Sequence, residues 1–513
     1  MRRLSLIVVA VLLAASAATA EDTPAYPSLS ADIYFHALYV SQENFRANSD
    51  VFGRALNPAT GNFNNEIETE AYKHLVESRF RLFLTTQFSE DVLGRFTFEV
   101  NPEYGREQGF GDFRVNNDTG GTGEIRIKHF YIQAEHEVGG YLGYRIGRQG
   151  YGTPNSLVVG DPDAEGAAFW YRDDTVGQFT IAGAVVDTRE TQRIEDVYSS
   201  FSYQFPQNPF LSGSFYLCYL RFRDRTAGDR NSPPEVSRGG GTGIGTWLVG
   251  PSNADFASQS AGQLFWAGLQ LLYTQHNVAL DFNAVLNFGN LDPGRIIIET
   301  AEEIQEDEEA PLTEEEKASY IDTVQGSLFL VDLSYGRTFW RVGAAGAFVS
   351  GHKPDPDATR YSGYLDVNAD FTFTRLFFDG GPYLVSTGFV SPGVQGSGLI
   401  GGKVYTRIFP TDWLELNLQA AALAAQFDRP VPADPVTNTR YDEIANGAGS
   451  YYGTELDFWL LFTPADKLHW LAEVDYFLPG NYWQGEASDG ERPADFLKDP
   501  DPAWRLAGGF LFY

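Results

Sequence analysis

Val76-Glu77-Ser78-Arg79-Phe80-Arg81-Leu82-Phe83-Leu84-Thr85-Thr86-Gln87-Phe88 reads as two interleaved faces. Val76, Ser78, Phe80, Leu82, Leu84, Thr86 and Phe88 form one; Glu77, Arg79, Arg81, Phe83, Thr85 and Gln87 form the other. Successive side chains of a strand point to opposite sides of a sheet, so this segment has an apolar side and a charged side.

The same period recurs along the chain. Phe96, Phe98 and Val100 oppose Arg95, Thr97, Glu99 and Asn101, and Val278 to Phe288 repeats the pattern against Asp281, Asn283 and Asn287. Leu365, Val367, Ala369, Phe371 and Phe373 oppose Asp366, Asn368, Asp370 and Thr372, which reads as another strand. Leu414 to Ala422, Tyr452 to Phe462 and Leu468 to Tyr476 alternate likewise, with Glu415, Glu455, Asp457, Glu473 and Asp475 on their polar sides.

A soluble β-sandwich also alternates. These strands, however, run to about ten to fourteen residues, against the usual five or six of globular sheets. Their spacers alternate between short turns, such as Ser89-Glu90-Asp91 and Val138-Gly139-Gly140, and long stretches near 41–71, 103–123, 224–261, 289–323, 428–449 and 479–501. Short turns at one end and long loops at the other are the habit of membrane barrels. About twenty strands can be marked; the hairpins at 141–173 and Gly380 to Val390 are the weakest, and without one of them the number is eighteen. The expected fold is an all-β, antiparallel up-and-down outer-membrane barrel of about 18 strands, within 16–20, with short periplasmic turns and long extracellular loops.

Both termini agree. Met1-Arg2-Arg3, the apolar run Leu4 to Ala15 and Ala18-Thr19-Ala20 have the form of a signal peptide cleaved after Ala20, leaving 21–513 as one barrel domain. The chain ends Phe510-Leu511-Phe512-Tyr513, an aromatic close to an alternating strand that resembles the signal by which barrel-assembly machinery recognises its clients. Aromatics make up 15% of the residues, and Trp413, Trp470, Tyr476, Trp504 and Tyr513 fall near strand ends, where interfacial girdles are expected. Trp459 falls there too, but on a lumen face. The single cysteine, Cys218, excludes an intramolecular disulfide and is expected to be a packed thiol.

The net charge of −31 argues against nucleic acid as a partner. The seven histidines show no metal spacing and no nucleophile elbow is present, so neither enzyme activity nor a cofactor is expected. If the apolar faces meet lipid and lipopolysaccharide, the polar faces line a lumen holding Glu77, Arg79, Arg81, Arg95, Glu99, Arg145, Arg221, Arg223, Lys403 and Arg407. A barrel of this size can leave a water-filled channel, and rings of side-chain charge then select what passes. Cross-strand bracing is the plainer role for any one of these residues.

Phe130-Tyr131-Ile132-Gln133-Ala134, a Gly-Gly turn, and Leu142-Gly143-Tyr144-Arg145-Ile146-Gly147-Arg148-Gln149 with Gly152 resemble a hairpin of the alginate-export family of outer-membrane porins. The resemblance implies an eighteen-stranded barrel and a polyanion-passing lumen, and it adds Arg148 beside Arg145 to the selectivity residues. Asn155-Ser156-Leu157 lacks the arginine that this family tends to carry there.

The acidic stretch Glu299 to Glu316, with Thr313 and Glu316 as a capping pair, reads as a solvated loop or a lid. Asp161-Pro162-Asp163, Asp355-Pro356-Asp357 and Asp499-Pro500-Asp501 read as turns before calcium sites. The expected function is a channel for hydrophilic or anionic solutes or polysaccharide. The alternatives are a binding or adhesion barrel working through its acidic loops, and a barrel hydrolase.

Overall fold

The computed structural model describes residues 27–43, 72–101, 103–104, 124–159, 163–188, 194–222, 259–293, 323–351, 360–366, 371–378, 398–427, 449–481 and 502–512. In chain order the strands are β1 (Ser28–Glu43), β2 (Tyr72–Gln87), β3 (Val92–Asn101), β4 (Glu103–Tyr104), β5 (Glu124–Glu137), β6 (Tyr141–Gly150) and β7 (Asp163–Asp173). They continue with β8 (Gly177–Thr188), β9 (Ile194–Gln204), β10 (Leu211–Phe222), β11 (Gln259–Gln275), β12 (Val278–Pro293), β13 (Thr323–Arg337) and β14 (Trp340–Val349). The rest are β15 (Arg360–Tyr361), β16 (Leu399–Thr411), β17 (Leu414–Ala424), β18 (Tyr451–Ala465), β19 (Leu468–Pro479) and β20 (Ala503–Phe512).

Apart from the two-residue bridges β4 and β15, eighteen long strands pair antiparallel with their neighbours. The ring closes where β1 pairs β2 on one side, from Ser28↔Gln87 to Glu43↔Tyr72, and β20 on the other, from Phe35↔Phe512 to Glu43↔Trp504. Each of the eighteen therefore has a neighbour on both sides, with no open edge strand among them. Strand ends at one rim are joined by short turns, such as 276–277, 338–339 and 466–467, and at the other by long segments such as 294–322 and 480–502.

The period of two sorts the side chains. Ile181, Phe169, Leu333 and Val404 lie on the outer face, each more than half exposed. On the inner face Asn283, Asn287, Asn417, Gln419, Glu455, Asp457, Glu473, Asp475 and Arg505 are buried. An apolar exterior round a polar interior inverts the arrangement of a water-soluble domain.

One expected strand is not in the wall. The alternation of Leu365 to Phe373 has another cause: Tyr361 to Asp366 and Phe371 to Phe378 run inside the barrel, all but Ser362 and Thr372 buried or nearly so. β15 meets the wall through a parallel bridge, Thr323↔Arg360 and Val324↔Tyr361. An apolar row there packs against the inner wall, and alternation alone cannot tell that from lipid contact. Without it the described wall has eighteen long strands, and the 141–173 hairpin is real, as β6 and β7. Gly380 to Val390 lies outside the described residues, as do residues 1–20, Tyr513 and the Glu299 to Glu316 stretch.

Candidate functional site in the lumen

Four arginines stand on the inner faces of neighbouring strands. Arg79 and Arg81 on β2 converge on Glu99 of β3, with Nε–Oε2 distances of 3.6 and 2.5 Å. One carboxylate between two guanidiniums leaves a net positive charge. The Arg81 guanidinium also lies 5.6 Å from the centre of the Tyr34 ring, and that of Arg95 lies 4.8 Å from Phe83. On β6, Arg145 donates to Gln133 Oε1 at 3.0 and 2.8 Å and sits over the rings of Tyr131 (4.6 Å) and Trp170 (5.9 Å). Ring faces and a neutral amide hold a guanidinium in place without neutralising it. The wall from β2 to β6 is therefore braced and still cationic.

Lys403 and Arg407 also point inward, on β16, while Ile400, Val404 and Ile408 point out. Lys403 Nζ donates to the Phe373 carbonyl at 2.7 Å, and Tyr405 between them donates to Asp332 Oδ1 at 2.6 Å. Two expected residues fall on the outer face. Arg148 pairs in register with the outward Phe130 and donates from Nε to the Ile127 carbonyl at 2.9 Å; three residues from Arg145, it takes the opposite face. Gly147 between them has φ +130°, a region costly to any other residue. Arg221 shares the outer face with Phe215 and Leu217, because Tyr216, Cys218 and Leu220 take the inner one. Both faces of that strand are largely apolar, so its polarity pattern is ambiguous. Arg223 lies outside the described residues, and Glu77 is described only in its backbone, opposite Leu38.

The inner face of β10 is apolar because a hook covers it. Residues 151–159, after β6, close on themselves through Thr153 N→Val159 O at 2.9 Å and Ser156 N→Thr153 O at 3.0 Å. The hook then crosses the lumen. Asn155 donates to Asn283 of β12 at 3.1 Å and accepts from the Tyr216 hydroxyl at 2.8 Å, and Leu157, Val158 and Val159 are buried. Cys218 is packed here, accepting from the Tyr198 hydroxyl at 3.4 Å.

A second inward element meets the first, where the Tyr364 hydroxyl donates to the Leu157 carbonyl at 2.8 Å. Trp266 Nε1 of β11 donates to the Leu365 carbonyl at 2.7 Å. Further along, the 371–378 strap is anchored by charge. The two oxygens of Glu455 accept three successive backbone amides, from Arg375 (2.9 Å), Leu376 (2.5 Å) and Phe377 (2.9 Å). The Arg375 side chain pairs with Glu473 and lies 4.3 Å from the centre of the Trp459 ring. Arg505 of β20 clamps Glu473 at 2.6 Å and Asp475 at 2.8 Å. Alternation puts these carboxylates on polar faces, but nothing in the local sequence announces Arg375 or Arg505 as their partners.

The described contacts of the two inward elements reach β9 to β13 and β16 to β19, and at its start the hook also touches β6, where Gln149 donates to the Tyr151 hydroxyl at 2.8 Å. Among the described residues no group of three or more His, Cys, Asp or Glu side chains is arranged to hold a metal ion. Of the Asp-Pro-Asp turns only Asp163 is described, at the start of β7.

No family model and no curated protein matches the chain. Among solved structures it is similar to the outer membrane protein OprD from Pseudomonas aeruginosa, at 9% identity and TM-score 0.48, covering 95% of this chain and 94% of that one. Pseudomonas aeruginosa OccK8 (OprE) gives 11% identity and TM-score 0.46, covering 94% and 98%. Acinetobacter baumannii OccAB4 gives 9% identity and TM-score 0.47, covering 96% and 99%.

Proposed function

We propose that the chain is a porin-like outer-membrane channel for hydrophilic solutes, with a preference for anions. The observation that carries this reading is the basic sector: Arg79, Arg81, Arg95 and Arg145 face the lumen on β2 to β6, outnumbering the described carboxylates Glu99 and Glu135 on the same face of these strands. Among the described residues the strap's contacts fall on other strands, which supports a path along this wall. The apolar outer face supports a place in the lipid of the outer membrane, with lipopolysaccharide and the barrel-assembly machinery as expected partners.

The resemblance to alginate-export porins suggests a polyanion as the sharper cargo. Arg145 supports that form; Arg148, on the outer face, does not. In a planar lipid bilayer the purified protein is expected to give stable stepwise openings. Silence at every applied voltage would count against a channel.

A further inference from the structure

The ladder between β3 and β5 slips by one residue. Thr97 stands opposite His129, but the next residue, Phe98, stands opposite Ile127, so Lys128 is an extra residue in β5. A bulge of this kind re-aims the side chains of the strand that carries it. Phe130 and Ile127 are both exposed on the outer face, while His129 turns inward, its Nδ1 3.2 Å from the hydroxyl of the buried Thr97. Strict alternation counted back from Phe130 would send Lys128 out toward lipid. The bulge instead brings it within electrostatic reach of Glu99, the carboxylate on which Arg79 and Arg81 converge.

The seam on the other side of β5 changes at the same level. The β5–β6 register runs from Glu137↔Tyr141 to Phe130↔Arg148 and stops there, although β6 continues to Gly150 in its pairing with β7. The Ile127 carbonyl therefore lies beyond the last β5–β6 pair, and the Arg148 side chain reaches it, donating from Nε at 2.9 Å. Backbone carbonyls facing lipid need a donor, because no water is there to supply one. The competing arrangement is the register without the bulge, in which Lys128 takes the place of Ile127 opposite Phe98, on the outer face. Arg148 itself points outward, opposite Glu165 of β7, so its own charge lies on the far side of the wall from the lumen.

We propose that Arg148 is a positioning residue for selectivity: from the outer face it holds the bulge that turns Lys128 toward the cluster of Arg79, Arg81 and Glu99. The second arginine of the motif thus acts on the lumen through the wall. The proposal rests on the channel reading for its effect on permeation; the direction in which position 128 faces is a separate observable.

Substitutions at position 148 separate the hydrogen bond from the charge. R148Q keeps an amide N–H as many bonds from the backbone as the arginine Nε and removes the charge, whereas R148M keeps the length and removes the donor. In planar bilayers under a salt gradient, with the fold of each variant checked by circular dichroism, R148M is expected to lower the anion-to-cation permeability ratio by up to about fourfold, the weight of one unit charge about 5 Å from a passing ion at water-like dielectric. R148Q is expected to keep the native ratio, and R148M to add nothing to the loss that K128Q already produces. An unchanged ratio in R148M, equal losses in R148M and R148Q, or independent losses from R148M and K128Q would overturn the proposal.

A second readout needs no current. A charged, membrane-impermeant thiol reagent is expected to label K128C, to lose that labelling in K128C/R148M and to retain it in K128C/R148Q; the one native thiol, Cys218, is buried and adds little background. No labelling of K128C, or unchanged labelling in K128C/R148M, overturns the positioning role. The expected pattern in a barrel that is silent in bilayers supports that role and sinks the channel reading instead.

Discussion

Arg145 shows what a single side chain contributes. Held by Gln133 and two ring faces, it keeps its charge toward the lumen. A unit charge about 5 Å from a passing ion is worth about 0.8 kcal/mol at water-like dielectric, or about fourfold in relative permeability. R145A is therefore expected to lower the anion-to-cation permeability ratio by up to about fourfold, read from the shift in reversal potential. An unchanged ratio would mean that Arg145 only braces the wall. At this scale the sequence was legible where one face of a strand is clearly polar, as at Arg79, Arg81, Arg95, Glu99, Lys403 and Arg407. It misled at Arg221, where the inner face is as apolar as the outer because the hook covers it, and at Arg148, where a motif overrode the alternation that already separated it from Arg145.

The strap is the element whose nature alternation could not show. Apolar residues packed against a wall and apolar residues facing lipid have the same pattern, so Leu365 to Phe373 reads as a strand of the wall. What marks it as an inward element is its set of distant partners, Leu157, Trp266, Glu455 and Glu473, which no local window contains. Glu455 is the anchor to test. A hydrogen bond to a charged acceptor contributes about 1.5–3 kcal/mol, and E455Q removes the charge from three of them while keeping the side chain's size. The strap is expected to loosen, so that E455Q shows a larger or noisier single-channel conductance than the native protein at the same pH. Identical traces would place the hold on the strap elsewhere.

For the whole molecule, long alternating strands and uneven spacers were enough to anticipate a closed antiparallel barrel, because closure demands only that every strand find two neighbours and keep one face apolar. How the interior is divided was not legible, since it depends on two chain segments folding back across the lumen. That division makes the acidic overall charge of −31 a poor guide to selectivity: the basic sector and the anchor cluster are segregated on different parts of the wall. The most direct test of a cationic permeation path is the reversal potential of the native protein in a planar bilayer under a salt gradient. A reversal potential displaced toward that of the anion is the expected result; one displaced toward that of the cation would contradict the account.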